Sequence, residues 1–167
     1  KESSAASDVY KRQPMSNDTL KPLSIQRVKD VFAKQGWQYD EASEFAIRTG
    51  FARIGLEIAH IAPNINVISS VAVDSIGADR YEDIRNWAEQ YNYTKAYPTV
   101  TALKDEERGV TALGVAYSLP GHWEYTDNQF ESHILTGIQG VVAASRDFLT
   151  EFAPEVTQRL DEEAAQD

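Results

Sequence analysis

The longest regular pattern of apolar positions runs through residues 126–152. Thr126 and Gln129 form a capping-box pair at its start, and Pro154 ends it. The apolar or small side chains recur at spacings of three and four, the period of one helix face: Phe130, Ile134, Ile138, Val141, Ser145, Phe148 and Phe152. The pattern predicts a C-terminal helix about 40 Å long. Its apolar stripe must pack on a broad surface.

The preceding chain predicts one short helix followed by several strands. Ser24 is typical of an N-cap, and Gly36 is typical of a helix end. Alternating or β-branched segments then follow at residues 37–39, 45–49, 51–58 and 65–73. Turn-forming residues separate these segments at 40–44, at Gly50 and around Pro63. The short links favour an antiparallel meander of four strands.

A helical period returns at residues 78–91, and two further strands are predicted at 96–103 and 110–119. The polar segment 105–109 ends in glycine and is typical of a hairpin loop. The predicted order is therefore α-β-β-β-β-α-β-β-α. This order indicates an α+β fold, in which the long C-terminal helix packs on an antiparallel sheet.

The predicted elements form a single domain between residues 15 and 154. Residues 1–14 are polar and aperiodic and precede the only methionine, Met15. We expect this segment to be a disordered leader or an artefact added by cloning or sequencing. Residues 155–167 carry five acidic side chains against Arg159, and we expect a frayed helical end or a disordered acidic tail.

Composition narrows the class of function. The chain has no cysteine, which excludes disulfides and cysteine-ligated metals. Its net charge of -10 argues against non-specific binding to nucleic acid and to anionic membranes. No apolar run approaches the roughly 18 residues of a membrane span, and the first residues lack the apolar segment of a signal peptide. We expect a cytoplasmic protein without nucleic-acid or membrane partners.

Motifs for nucleophilic catalysis and phosphate binding are missing from the sequence. There is no Gly-x-Ser-x-Gly elbow. Gly109 and Gly114 have the glycine spacing of a P-loop, but Val115 and Ala116 stand where lysine and serine or threonine are required. We therefore expect no enzymatic activity and no cofactor.

Metal ligands would have to come from the histidines and nearby carboxylates. His122, Glu124, Asp127 and His133 are close in sequence, but their spacing matches no defined metal motif. We expect no metal. A metal-dependent or other hydrolase that uses His122, Glu124 and His133 is the alternative.

Two sets of residues are candidates for partner binding. Gly137 and Gly140 interrupt the predicted long helix, where each costs about 1 kcal/mol relative to alanine. They indicate either close packing on the helix's own sheet or a groove for a partner. The second set contains aromatic residues in or beside predicted loops, a residue class enriched at interfaces: Tyr93, Tyr97, Trp123 and Tyr125.

Four segments between about residues 23 and 152 carry a family resemblance. They are the helix opening at 23–28, Trp37-Gln38-Tyr39, the segment 86–92 with Ala96-Tyr97-Pro98 after it, and the helix start at 126–129 with terminal Phe148 and Phe152. In these the chain resembles the YbjN-like family, whose fold is similar to that of type III secretion chaperones. Ala88 and Tyr91 depart from the Trp-Asn-Arg pattern frequent in relatives.

The resemblance implies a helix–sheet module that binds a peptide or partner protein, is frequently dimeric and has no known catalytic residues. Relatives are loosely associated with stress or sensory regulation. We therefore predict a non-catalytic, chaperone-like module for a protein or peptide client. It would bind by strand addition, for example at residues 96–103, or by holding a helix in a groove. A structural subunit whose aromatic surface forms a permanent homodimer is a further alternative.

Overall fold

The computed structural model of the protein describes residues 19–166. The predicted leader at residues 1–14 lies outside this range. Within it are four α-helices, six strands and a 3-10 turn at Ala78–Arg80. In chain order the helices and strands are α1 (Ile25–Gln35), β1 (Asp40–Ser43), β2 (Ala46–Phe51), β3 (Ile54–Ile61), β4 (Asn64–Val71), α2 (Tyr81–Thr94), β5 (Thr99–Asp105), β6 (Val110–Leu119), α3 (Asp127–Phe152) and α4 (Pro154–Ala164).

All six strands form one antiparallel sheet in the order β1-β2-β3-β4-β6-β5. The first four strands form an antiparallel meander, as predicted, but the first of them lies at residues 40–43 rather than 37–39. The last hairpin folds back so that β6, not β5, pairs with β4. This topology confirms the α+β prediction and puts β6 beneath the long helix.

One face of the sheet and the helices enclose the core. Alternate residues of β3 and β4 are almost fully buried, as Ile58 and Ile65 show at 0% exposure. Helix α3 packs across β6 and β4, while α2 packs on β5. Helix α1 contributes Phe32, whose ring meets Trp37 and Phe51 edge-on at centroid distances of 5.5 and 6.3 Å. The long C-terminal helix therefore covers the sheet as predicted.

The opposite face of the sheet carries small and polar residues. Ser70 and Thr101 are both paired with Gly114 of β6, and both are exposed. Arg48 and Glu57 pair across β2 and β3 with Nε and Oε2 3.2 Å apart. In the described part of the chain, no helix covers this surface.

Two predicted boundaries at the start of the sheet are wrong. The segment 40–44 was predicted as a turn, but Asp40–Ser43 is the first strand. The alternation at 37–39 instead reflects Trp37 and Tyr39, whose rings pack on Phe32 of α1. Burial of these two aromatics, rather than strand pairing, produces the alternating pattern.

The turn after β2 also differs from the prediction. Gly50 lies inside the ladder, where it pairs with Gly55. The chain turns at Ala52 and Arg53, which have φ values of 48° and 65°. Two successive positive φ values match the twist of antiparallel strands, so the hairpin forms without glycine at its tip. The third strand therefore begins at Ile54, three residues later than predicted.

The second helix ends later than predicted, and the fifth strand begins later than predicted. Helix α2 continues to Thr94, and β5 begins only at Thr99. Asn92 lies within the last turn of α2. Its side chain is used in a tertiary contact described below, a role that local sequence signals do not show.

The acidic tail predicted at residues 155–167 is largely helical. Pro154 ends the pattern of α3 and occupies the first turn of α4, where proline is well tolerated. Val156 and Leu160, four residues apart, pack against the core. Arg146 of α3 also pairs with Asp161. Two apolar positions hidden among acidic residues therefore dock this segment. Within residues 19–166, no helix is both long and apolar enough to cross a membrane.

Candidate functional site

The capping box predicted at the start of α3 is present. The Thr126 hydroxyl accepts from the Gln129 amide at 3.2 Å, and the Gln129 side chain accepts from the Thr126 amide at 3.0 Å. Both bonds satisfy amides that a helix start leaves free. The cap therefore fixes how the start of α3 is oriented relative to the preceding loop.

A buried arginine holds that loop from the other side. The Arg27 guanidinium donates to the backbone oxygens of Lys21, Pro22 and Tyr125 at 2.8, 3.1 and 2.9 Å. It also lies 3.3 Å from the Asp127 carboxylate, with its side chain only 11% exposed. Lys21 and Tyr125 are further joined by two backbone hydrogen bonds. The loop before α3 is thus tied to the segment that enters α1.

The two helix glycines lie against tyrosine rings. An ideal Cβ on Gly137 would be 2.6 Å from Cδ1 of Tyr117. A Cβ on Gly140 would be 3.2 Å from Cδ2 of Tyr97. The first distance is too short for any side chain, so glycine at 137 allows the ring from β6 to lie on the helix. The glycines therefore serve close packing within the chain, as one of the two interpretations predicted.

These rings form one cluster with a histidine of α3. Tyr97 and Tyr117 meet edge-on at 5.7 Å between centroids, with an interplanar angle of 80°. The Tyr117 hydroxyl is 2.7 Å from Nδ1 of His133. Tyr125 meets the His133 ring edge-on at 5.5 Å. Tyr117 and Tyr125 thus contact one histidine, and Tyr97 joins the cluster through Tyr117.

An open groove lies beside this cluster, and we call it the tyrosine groove. It is bordered by residues that are all uncharged when His133 is neutral: Tyr97, Tyr117, Asn128, Gln129, Ser132, His133 and Thr136. Tyr97 remains 50% exposed. The groove therefore offers aromatic surface to a partner, together with polar groups along α3.

Burial raises the pKa of two tyrosines of the cluster, Tyr117 and Tyr125. It raises the pKa of Tyr117, and the nearby Tyr97 and Tyr125 hydroxyls raise this pKa further. Burial likewise raises the pKa of Tyr125, whose hydroxyl donates to the Pro120 carbonyl at 2.7 Å. Neutral phenols are donors near pH 7, so the Tyr117–His133 contact is a neutral hydrogen bond when the imidazole is neutral.

A row of polar side chains follows the groove along α3. Asn128, Ser132 and Thr136 are spaced four residues apart and therefore lie on one side of the helix. Within residues 19–166, their side chains make no hydrogen bond to another side chain or to the backbone. They are available to a bound molecule.

The remaining predicted aromatics do not join the cluster. Tyr93, near the end of α2, is 86% exposed, and Trp123, in the loop before α3, is 65% exposed. Neither ring contacts another aromatic ring in the described part of the chain. Of the predicted partner-binding residues, the structure brings together Tyr97, Tyr125 and the two helix glycines.

Sequence reasoning missed Tyr117 as a site residue and considered His133 only as a metal ligand. Tyr117 alternates with Val115 and Leu119 of β6, so its side of the sheet could be inferred. Its position opposite Gly137 depends on how α3 crosses the sheet. No local pattern carries that information.

The sheet edge predicted for strand addition is partly occupied. Pro98 lies just before β5 rather than within it. The Asn92 side chain accepts from the Val100 amide at 2.9 Å and donates to the Val100 carbonyl at 2.8 Å. One side chain thus makes the two bonds that an added strand would make at this residue. An incoming strand would first have to displace it.

In the part of the chain that the structure describes, the three residues of the alternative hydrolase are not grouped as metal ligands. His122 and Glu124 are exposed in the loop before α3, whereas His133 is engaged with Tyr117. Among residues 19–166, no group of three histidine, aspartate or glutamate side chains is close enough to hold a metal ion.

Element order, sheet topology and the long covering helix together define a YbjN-like α+β fold. The chain is similar to the crystal structure of YbjN from E. coli, a protein described provisionally as a transcription regulator. The TM-score is 0.61 with 14% sequence identity, over 76% of this chain and 92% of that one. No family model matches the sequence, and no curated protein matches it. The similarity confirms the predicted fold.

Proposed function

We propose that the protein is a non-catalytic binding module of the cytoplasm that holds a protein or peptide client in the tyrosine groove. The observation that carries this proposal is the packing of Tyr97 and Tyr117 on helix glycines. Two glycines inside a helix together cost about 2 kcal/mol relative to alanine. In return, two phenol rings lie on the helix: Tyr97 remains 50% exposed, and Tyr117 is partly buried at the border of the groove.

Features that depart from the most stable local choice are concentrated at functional sites. A helix with alanine or leucine at these positions could cover the sheet without tyrosines. Tyrosine combines a large apolar ring with a hydroxyl and is enriched where proteins bind one another. This supports a contact surface here rather than simple closure of the core.

The two other surfaces are less suited to a client. The β5 edge is blocked at Val100 by Asn92. The open sheet face carries mostly small and polar residues such as Ser70 and Gly114, which bury little apolar area on contact. Regulatory function agrees with the provisional description of the E. coli YbjN as a transcription regulator. We assign this chain the same general role, exercised through protein contacts.

Site-directed crosslinking tests the proposal. The chain has no cysteine, so a single introduced cysteine gives a unique attachment point for a benzophenone. Thr136→Cys places the probe in the groove, Ser70→Cys places it on the open sheet face, and Gln158→Cys places it on α4. All three labelled proteins are exposed to extract from the native cell.

We expect saturable crosslinks from position 136 that unlabelled protein suppresses and that a second change, Tyr97→Ala, removes. Saturable crosslinks only from position 70 would show that the client binds the open sheet face instead of the groove. Equal, non-saturable labelling from all three positions would refute a specific client site.

A further inference from the structure

We infer that the tyrosine groove selects a basic client segment, bound in an extended conformation, by receiving an arginine or lysine side chain in the corner between the rings of Tyr97 and Tyr117. The inference rests on the proposed function and names the client's chemistry. Three features of the molecule support it: the ring arrangement, the charge balance and the spacing of the polar row on α3.

The rings provide a surface for a cation. Tyr97 and Tyr117 stand nearly perpendicular, so a group in the corner between them meets one ring face and one ring edge. The negative face of an aromatic ring attracts a guanidinium or ammonium group within about 6 Å of its centroid. The same chain already uses this contact: Arg27 lies 4.5 Å from the Phe130 centroid, and Lys104 lies 4.6 Å from that of Tyr81.

Tyr97 and Tyr117 have no such partner. None of the cation–ring contacts within residues 19–166 involves either of them. The groove contains no lysine or arginine that could occupy the rings or repel an incoming cation. The site is therefore open to a cation supplied by another molecule.

The charge of the chain favours the same ligand. Aspartate and glutamate number 26 against 16 lysines and arginines, which gives a net charge of -10. Such a field attracts cationic segments and repels acidic ones before contact. The uncharged lining means that selection within the groove comes from the rings rather than from an ion pair.

The polar row has the repeat of an extended chain. Asn128, Ser132 and Thr136 recur every four residues, which is about 6 Å along a helix at 1.5 Å per residue. Two residues of an extended peptide advance about 6.2 to 6.8 Å. Alternate backbone groups of the client can therefore meet successive side chains of the row. The side chains between them then face the tyrosines.

Fluorescence anisotropy with defined peptides tests the inference. The probe is a fluorescein-labelled octapeptide of alternating serine and arginine. Its matched control has citrulline at every arginine position, which removes the charge and keeps the length and planar shape of the side chain. We expect saturable one-to-one binding of the arginine peptide and binding of the citrulline peptide that is weaker by about tenfold or more.

Protein variants locate the contact. We expect Tyr97→Ala to weaken binding of the arginine peptide about tenfold. Tyr97→Phe keeps the ring face, so its affinity for the peptide should stay within about twofold of the wild-type value. The control Tyr93→Ala removes an exposed tyrosine outside the groove and should leave affinity unchanged. Circular dichroism of each variant verifies that it is folded.

Three outcomes overturn the inference. One such outcome is equal affinity for the arginine and citrulline peptides, with binding of both lost in Tyr97→Ala. It would show that the groove binds clients without selecting for positive charge, and the proposed function would stand. Arginine binding that Tyr97→Ala leaves intact and that about 0.5 M salt abolishes would reduce the effect to general attraction by an acidic surface. Failure of the arginine peptide to bind at about 1 mM would remove the cation site, while the crosslinking experiment would still decide the proposed function.

Discussion

The last turns of α3 and its two glycine positions meet aromatic rings in opposite ways. In the last turns the helix contributes the rings: Phe148 is fully buried and lies 5.9 Å from Trp87 and 5.4 Å from Phe152 between centroids. At Gly137 and Gly140 the helix has no side chain, and the rings of Tyr117 and Tyr97 come from the sheet side. The first arrangement fills the core. The second leaves Tyr97 half exposed.

The difference shows which part of the helix stabilises the fold and which part can be used for binding. Large side chains that project from a helix into a core are removed from water and stabilise the fold by burial. The Tyr97 ring, which lies along a helix glycine, stays 50% exposed and can meet a partner. Changes in the last turns of α3 should therefore affect stability first, and changes at Tyr97 should affect partner contact.

The largest effect is expected from Phe148→Ala. The change removes a fully buried ring and leaves a cavity beside Trp87, so unfolding free energy should fall by about 3–5 kcal/mol. Urea denaturation followed by circular dichroism measures it. Phe148→Leu, which keeps more of the volume, should cost clearly less and serves if the alanine variant does not fold. If neither variant lowered the unfolding free energy, the role of the last turns of α3 as core would be contradicted.

Gly137→Ala should have the next largest effect. Alanine gains about 1 kcal/mol of helix propensity, but its Cβ would collide with Tyr117, and overpacking costs about 1–3 kcal/mol. We expect net destabilisation in urea denaturation and loss of crosslinks from position 136.

Gly140→Ala is the matched control. Its Cβ would be 3.2 Å from Tyr97 and 3.4 Å from Pro98, so a small shift accommodates it. Stability should be unchanged or higher. If both alanine variants were equally stabilising, the close fit of Tyr117 on the helix would be wrong.

Arg27→Lys should loosen the loop before α3. Lysine keeps the charge but cannot reproduce the fork of bonds to Lys21, Pro22 and Tyr125. We expect a loss of about 1–2 kcal/mol, because carbonyl oxygens are left without a donor. Faster amide hydrogen exchange at Tyr125 would locate the change. An exchange rate like that of the wild type would indicate that the capping box alone fixes the loop.

Tyr117→Phe should have a smaller effect. The ring remains on Gly137, and only the hydroxyl bond to His133 is lost. The expected cost is about 0.5–1.5 kcal/mol, measured by urea denaturation, with crosslinking from position 136 retained. A full loss of crosslinking would show that the hydroxyl, rather than the ring face, makes the partner contact.

The smallest effect concerns acid pH. The hydrogen bond from Lys21, with the charges of Lys21 and Arg27, lowers the pKa of Asp127. A lowered folded pKa means that the charged carboxylate stabilises the fold above its ordinary pKa, and that this contribution is lost as the pH falls through the lowered value. The stability difference between wild type and Asp127→Asn should therefore shrink as the pH is lowered from about 6 to about 2. A difference constant over that range would contradict the ion pairs.

The sequence predicted the fold well where local signals are strong. The α3 cap, its apolar stripe and the first helix from Ser24 to Gly36 are all present, because capping and periodicity act over a few residues. Errors arose where tertiary contacts decide. Trp37 and Tyr39 alternate because of α1 rather than a strand partner, and α4 depends on apolar residues scattered among acids.

Only some residues of the candidate site could be predicted from the sequence. Gly137 and Gly140 were identified because glycine within a helix is costly, and Tyr97 and Tyr125 because of their residue type. Tyr117 could not be chosen, since its place on Gly137 follows from the angle between α3 and the sheet. The role of Asn92 at the β5 edge likewise depends on a contact between helix and strand eight residues away.

The most direct test of the account is an NMR titration of isotope-labelled protein with the client segment identified by crosslinking. The account predicts shifts concentrated at residues 128–140 of α3 and in the rings of Tyr97 and Tyr117, with the open sheet face unchanged. Shifts centred on Ile68 and Leu103 of the open face, with the tyrosine groove unmoved, would contradict it.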